Sequence, residues 1–194
     1  MEAALELADD INEDSILAMH KALMLHETGF PPEDAGRFRA EQVWIGRGDA
    51  GPRLAGFVAP HHDRIPGAVE DLVHFVKRQD VLVLVQVAVA HAQFEMIHPF
   101  PDGNGRTGRA LAQSILRNKG LVRSTAVPIS AGLLVDVRRY FDALNSFRDG
   151  DAGPIIRDFA NASRIAATTG THLVDDLVDQ LDESRAKMAG IRAD

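Results

Sequence analysis

No cysteine occurs anywhere in the 194 residues. That excludes disulfides, thiolate zinc sites and a cysteine nucleophile together, and it fits a reducing compartment. An excess of base is also missing: 28 Asp and Glu against 21 Lys and Arg leave a formal charge of −7. The global basic footprint of a nucleic-acid binder is therefore absent. The longest apolar run, Val81–Ala90, is interrupted by Gln86 and falls short of the roughly 20 residues needed to span a bilayer. The N-terminal Met1-Glu-Ala-Ala-Leu-Glu-Leu lacks the basic start of a signal peptide. These absences read as a soluble, cytoplasmic protein with neither nucleic acid nor membrane among its partners. Repeats, low-complexity tracts and interdomain linkers are missing too, so residues 1–194 read as a single domain.

What is present has the composition of a globular domain, with 45% apolar and 25% charged residues. Its charge is unevenly spread. Residues 1–36 carry nine acids (Glu2, Glu6, Asp9, Asp10, Glu13, Asp14, Glu27, Glu33, Asp34) against Lys21 alone. Residues 98–123 reverse this, with Arg106, Arg109, Arg117, Lys119 and Arg123 against the single acid Asp102. A basic island in an acidic chain suits a small anionic ligand, although a charge run on a solvated helix face reads the same way.

Leu5–Ala8 looks helical with no capping residue before it, as if the chain began inside a helix. Asn12 or Asp14 can cap a second helix whose Ile16, Leu17, His20, Leu23 and Met24 share a face, ending at Pro31-Pro32. Gln42–Ile45 and Gly56–Ala59 read as a hairpin joined by a Gly/Pro/Asp-rich connection, with Pro60 confining the second strand to an edge. Pro66 opens a helix running to about Arg78. Valine favours strand in Val81–Ile97, yet seventeen residues without a turn signal favour a buried helix. The spacing then predicts helices over Thr107–Lys119, 136–148, 154–167 and 171–189. The domain reads as mostly α with one hairpin.

The chemistry concentrates in His98-Pro-Phe-Pro-Asp102-Gly103-Asn104-Gly105-Arg106-Thr-Gly108-Arg109. Glycines on both sides of Asn104 allow successive amides to converge on an anion, and the loop runs into a helix whose first N–H groups are unpaired. Arg106 and Arg109 lie three apart and share a helix face. Cations there oppose the macrodipole by about 0.3–1 kcal/mol each, which suggests that a polyanion completes the site. Asp102 is placed to hold a divalent cation, and magnesium suits one carboxylate plus phosphate oxygens. His98, with an ordinary pKa of about 6.5, can take a proton from a hydroxyl at neutral pH. Each part also has a plain reading: the histidine as a helix cap or packing residue, Gly-Asn-Gly as a turn. Gly103-x-Gly105-x-x-Gly108 matches the dinucleotide fingerprint as well, but no clear strand precedes it and residues 121–135 contain no acid.

The whole segment resembles the signature of the Fic (filamentation induced by cAMP) family, His-x-Phe-x-(Asp/Glu)-Gly-Asn-Gly-Arg-x-x-Arg, at every specified position. Phe38-Arg39, Gln42–Gly46, Gly56–Pro60, Asp71-Leu72, His91-x-x-Phe94-Glu95 and Tyr140-x-x-x-Leu144 also look family-like. The resemblance covers about residues 12–165 and leaves 166–194 as a C-terminal helical appendage. It implies an all-α, compact Fic-type helical bundle with a small β-hairpin, the flap, beside the active-site loop. It further implies adenylyl transfer, in which AMP moves from ATP to a protein Tyr, Ser or Thr hydroxyl and pyrophosphate leaves.

Carried over residue by residue, the resemblance makes His98 the base and Asp102 the Mg²⁺ ligand. Gly103, Asn104 and Gly105 would hold the α-phosphate, Arg106 and Arg109 the outer phosphates, and Phe100 would anchor the loop. Gly56, Phe57, Val58 and Ala59 would dock the protein substrate as an added strand. Tyr140 and Asn145 fall on the adenine side, unless Tyr140 only packs in the core. Alternatives are another nucleotide or phosphate donor, removal of AMP, or a catalytically silent peptide-binding or toxin–antitoxin module.

Many family members carry an inhibitory helix, (Ser/Thr)-x-x-x-Glu-(Gly/Asn). None of the nine glutamates here is followed by Gly or Asn. Three readings stay open: the segment was cut away upstream, which is preferred, it comes from an antitoxin-like partner in trans, or it never existed. His61 and His62 could be read as a metal pair, but neighbouring exposed histidines are usually solvated loop residues.

Overall fold

The computed structural model describes residues 10–46, 55–122 and 129–191. Asn12 starts helix α1 (Glu13–Met24) through a reciprocal capping box: Ser15 N–H donates to Asn12 Oδ1 at 2.9 Å, and Asn12 N–H donates to Ser15 Oγ at 3.0 Å. Ile16, Met19, His20 and Met24 are the buried face of α1, with Leu17 and Leu23 packed at its margin. Residues 5–8, read as helical from the sequence, lie outside the described residues.

The hairpin forms as β1 (Trp44–Gly46) against β2 (Ala55–Val58), antiparallel, with Trp44 opposite Val58 and Ile45 opposite Phe57. Most of its Gly/Pro-rich connection, residues 47–52, lies outside the described residues. Helix α2 (Ile65–Lys77) has Pro66 in its first turn, as the sequence suggests.

Helix α3 (Val83–Ile97) is the valine-rich segment, and length wins over β propensity for a physical reason. Gln86, Val87, Ala88, Ala90, His91, Ala92, Phe94, Glu95 and Ile97 are all buried, so the helix is covered on nearly every side. It packs against α2, α4 (Asn104–Asn118), α6 (Val137–Arg148) and α7 (Gly153–Ile191). Gln86, the interruption in the apolar run, faces the end of α2. Its Nε2 lies 2.7, 3.0 and 3.1 Å from the carbonyls of Phe75, Val76 and Arg78 at the C-terminal end of that helix.

Two expectations need correction, and one element is additional. Helix α4 begins at Asn104 rather than Thr107, because Gly103 takes the left-handed conformation (φ 74°) and ends the loop there. A short helix α5 (Ile129–Leu133) precedes α6 and packs on α7. The segments expected at 154–167 and 171–189 are one 39-residue helix, because Gly170 alone does not break it. Its buried residues, Ile155, Phe159, Ala162 and Ala166, occupy the first half only, among those described. The fold is all-α with a two-stranded hairpin, and no helix among the described residues is long and apolar enough to cross a membrane.

Candidate active site

The segment between α3 and α4 is held from behind before it can hold anything in front. His98 caps α3 in the left-handed region (φ 49°), the single non-glycine residue there among those described. That turn sends the chain back through Pro99 to Phe100, which is fully buried. The ring of His20, from α1, stacks on Phe100 at 3.8 Å and 4°. Gly36 N–H donates to His20 Nδ1 at 2.9 Å, so Nε2 carries the proton and donates to the Asp102 carbonyl at 3.1 Å. Burial lowers the His20 pKa and keeps the ring neutral.

Asn104 closes the turn. Phe100 N–H donates to its Oδ1 at 2.9 Å, and its Nδ2 donates to the Phe100 carbonyl at 2.8 Å. The buried Asn104 side chain is thus engaged with the loop backbone. Its contribution to an anion is the main-chain N–H, in series with those of Gly105 and Arg106, which precede the first intrahelical bond from Thr107 N–H to Gly103 O. A Cβ on Gly103 would stand 2.6 Å from Met24 Sδ, so this turn needs glycine for space as well as for φ.

Arg39 is a buried cation without a carboxylate. It is satisfied instead by backbone carbonyls: Nε donates to His98 O at 2.8 Å, Nη1 to Glu41 O at 2.7 Å and Nη2 to Pro60 O at 2.6 Å. One side chain therefore ties the His98 turn to both ends of the hairpin.

These elements enclose a cleft of about 350 Å³ lined by His98, Gly105, Arg109, Glu95, Met96, Ile45, Phe57, Val137, Tyr140, Phe141, Leu144 and Asn145. Six of the residues singled out from the sequence (His98, Gly105, Arg109, Phe57, Tyr140, Asn145) share it. Asp102, Gly103, Asn104 and Arg106 adjoin these residues in the chain but do not line the cleft. Arg106 pairs with Glu27 of the acidic N-terminal segment and lies 3.7 Å from Asp102. Arg109 makes no ion pair within 4.0 Å among the described residues. Of the flap residues, Gly56–Val58 form β2, and Ala59 is buried with its N–H donated to Val43 O at 3.2 Å.

Burial dominates the electrostatics. The His98 pKa is pushed down to about 4, mainly by burial and further by the Arg39 cation, while Asp102 and the Glu95 backbone act in the opposite sense. Its Nδ1 is buried on the side of the Glu95 backbone, which leaves Nε2 as the nitrogen for the cleft. At neutral pH His98 is an uncharged base.

Beneath the cleft lies a second buried group that sequence reasoning left without a role. His91 Nε2 and Tyr140 Oη share a hydrogen bond of 2.8 Å, and His91 is pushed down to about 4 by burial. Glu95 is pushed up to about 7 by burial, opposed by Arg109. His91 Nε2 and Glu95 Oε1 are 3.9 Å apart, but with the imidazole neutral this is not an ion pair. Glu95 Oε1 has no hydrogen bond, and a Cβ on Gly108 would meet it at 2.7 Å. The same burial raises the Tyr140 pKa. Tyr140 is at once buried and cleft-lining, so both of its readings from the sequence apply.

Residues 10–116 match the model of the Fic/DOC family. The chain belongs to that family. Protein adenylyltransferase fic-1 of Caenorhabditis elegans is 31% identical over 159 residues, covering 80% of this chain and 28% of that protein. Protein adenylyltransferase Fic of Nematostella vectensis is 28% identical over 199 residues, covering 92% and 41%. The chain thus spans less than half the length of these relatives. A solved Fic family protein from Desulfovibrio desulfuricans G20 aligns with TM-score 0.71 at 30% identity, over 89% of this chain and 51% of that one. Fic-1 of C. elegans (134–508) aligns with TM-score 0.66 at 25% identity, over 90% and 50%.

The sequence signals for the supporting residues were weak. His20 showed only as a histidine on an apolar face. Arg39, His91 and Glu95 showed as recurrent family-like residues with no stated task. Arg148 gave no signal, yet its Nη1 donates to Gly56 O at 3.0 Å and its guanidinium lies 5.8 Å from the Phe57 ring centre.

Proposed function

We propose that this Fic/DOC-family chain transfers AMP from ATP to a Tyr, Ser or Thr hydroxyl of a protein, releasing pyrophosphate. The observation that carries this reading is the shared cleft: an uncharged histidine, Gly105 in the first turn of α4, Arg109 and the flap residue Phe57 meet in one cavity. The adenylyltransferase names of the two relatives support the same reaction class.

The acceptor hydroxyl gives its proton to His98 Nε2 as its oxygen bonds the α-phosphorus. The bond from that phosphorus to the bridging oxygen breaks on the opposite side, and pyrophosphate departs with the electron pair. The N–H groups of Asn104, Gly105 and Arg106 face the α-phosphate oxygens, where charge builds up. Arg109 reaches the outer phosphates, and Arg106 exchanges its Glu27 partner for them. Tyr140 and Asn145 form the wall for the base.

Asp102 suits a magnesium ion. Its side chain is 68% exposed, it stands beside the open amides, and a hard carboxylate oxygen is the donor that ion takes. Asp102 would hold the ion, which would supply neutralisation of phosphate charge. The flap receives the protein substrate as an added strand beside β2.

No glutamate in this chain has the inhibitory context, and Arg109 has no carboxylate within 4.0 Å among the described residues, which supports an unrestrained site. The deciding experiment incubates the protein with ATP and a bacterial lysate, then reads intact masses. A gain of one AMP, lost in His98→Ala, is the expected result. A gain of one phosphate points to another donor chemistry. A cellular effect that survives His98→Ala sinks the enzymatic reading altogether.

A further inference from the structure

The free edge of the flap is narrower than its four residues suggest. Ala59 N–H points towards β1, donating to Val43 O, and Phe57 lies opposite Ile45. Strand alternation then turns the backbone groups of Val58 away from β1, to the open side, and the register shift between Ile45 and Gly46 leaves Gly56 as the extra residue of β2. The Gly56 carbonyl is already taken by Arg148 from the last turn of α6, at 3.0 Å, with the guanidinium over Phe57. Pro60, next in the same alternation, has no N–H, and its carbonyl accepts from Arg39 at 2.6 Å. Val58 alone keeps both N–H and carbonyl for an incoming chain.

We propose that Arg148 is a specificity-determining positioning residue: by closing Gly56 it leaves one bonded pair, at Val58, and so sets the register in which an acceptor strand lies across the cleft. The inference rests on the adenylyl-transfer reading. Register matters because strand pairing slips in steps of two residues if the side-chain face is to be kept. An acceptor paired at Gly56 instead of Val58 brings a hydroxyl two residues away to His98. A guanidinium on the Gly56 carbonyl discriminates between these two registers without touching the acceptor's side chains.

The test maps modified residues by mass spectrometry in a bacterial lysate treated with ATP and either the wild type, Arg148→Ala or Arg148→Lys. Arg148→Ala is expected to raise by about fivefold, the worth of one exposed hydrogen bond, the share of acceptors carrying a second modified hydroxyl two residues from the first. The KM for ATP and the melting temperature stay as in the wild type, and lysine, which keeps a donor but not the planar fork, falls between. An unchanged site pattern overturns the proposal. So does a uniform drop at all sites without new ones, which is what a merely structural role gives.

Trp44, the single tryptophan, pairs with Val58 in the hairpin and reads the flap without turnover. Acrylamide quenching of Trp44 should rise in Arg148→Ala. If the wild type transfers no AMP, the functional reading fails, and unchanged Trp44 quenching then rejects the hold of Arg148 on β2 separately.

Discussion

The two walls of the cleft are built on opposite principles. The phosphate-side turn, Phe100–Arg109, is fixed by burial: a stacked imidazole, a side-chain amide clamped on Phe100, and a left-handed glycine packed against Met24. The flap is two short strands with Trp44, Ile45 and Val58 39–46% exposed, held on its outer side by arginine bonds to backbone carbonyls. An isolated two-stranded hairpin is marginal in water, so these external bonds largely decide where it sits. The contrast suits the proposed roles. A nucleotide is always the same shape and rewards a preorganised cradle, whereas protein acceptors vary and need a surface that adapts.

Substitutions can sharpen or break this contrast. The largest effect belongs to His98→Ala, which should cut transfer by about 10²–10⁴, the worth of a general base, with folding intact by circular dichroism. In the wild type the acid limb of kcat/KM should fall near pH 4 and not near 6.5, because His98 must be deprotonated and burial has lowered its pKa. A limb near 6.5 refutes the buried-base assignment.

Next comes Glu95→Gln. The Glu95 pKa rises on folding from the ordinary 4.5 to about 7, so the folded state holds a proton that the unfolded state releases across that range. Glu95 therefore costs stability as pH rises from 4.5 through 7. The glutamine variant should melt higher than wild type above pH 7, by roughly 3 kcal/mol, and match it below pH 4.5. His91 and His98 run the other way: their lowered pKa values favour the folded state at high pH, and that stability fades as pH falls below about 6.5. A pH-independent difference between Glu95→Gln and wild type rejects the buried neutral acid.

Asn104→Ala strands the buried N–H and carbonyl of Phe100 and should cost about 1–3 kcal/mol in urea unfolding. Val58→Ala, a similar truncation at the half-exposed flap, should stay within about 0.5 kcal/mol. Equal losses at the two positions would falsify the contrast between a buried cradle and a loosely held flap.

The features readable from the sequence were those whose cause is local. The Asn12 cap, Pro66 in the first turn of α2, the hairpin and the His98–Arg109 motif all declare themselves within a few residues. The features missed have distant causes. Gln86 looked like a flaw in an apolar run, yet it engages the carbonyls at the end of α2 ten residues earlier in the chain. His20 and Asp102 meet across 82 positions, and Arg148 and Gly56 across 92, and no spacing rule links such pairs. The start of α4 was misplaced by three residues because Gly-Asn-Gly looks like uninterrupted loop, whereas only Gly103 is left-handed and Gly105 is already helical. Gly170 falls between the helices expected at 154–167 and 171–189, and one glycine costs a helix only about 1 kcal/mol.

Tyr140 carries a practical consequence. It is the only tyrosine in the chain, it is buried, and its hydroxyl is engaged by His91. A reaction mixture holding this protein and a tyrosine-bearing acceptor thus contains its own control. Any adenylylated tyrosine recovered from it reports a bond made to another molecule, and self-labelling can register only on serine or threonine.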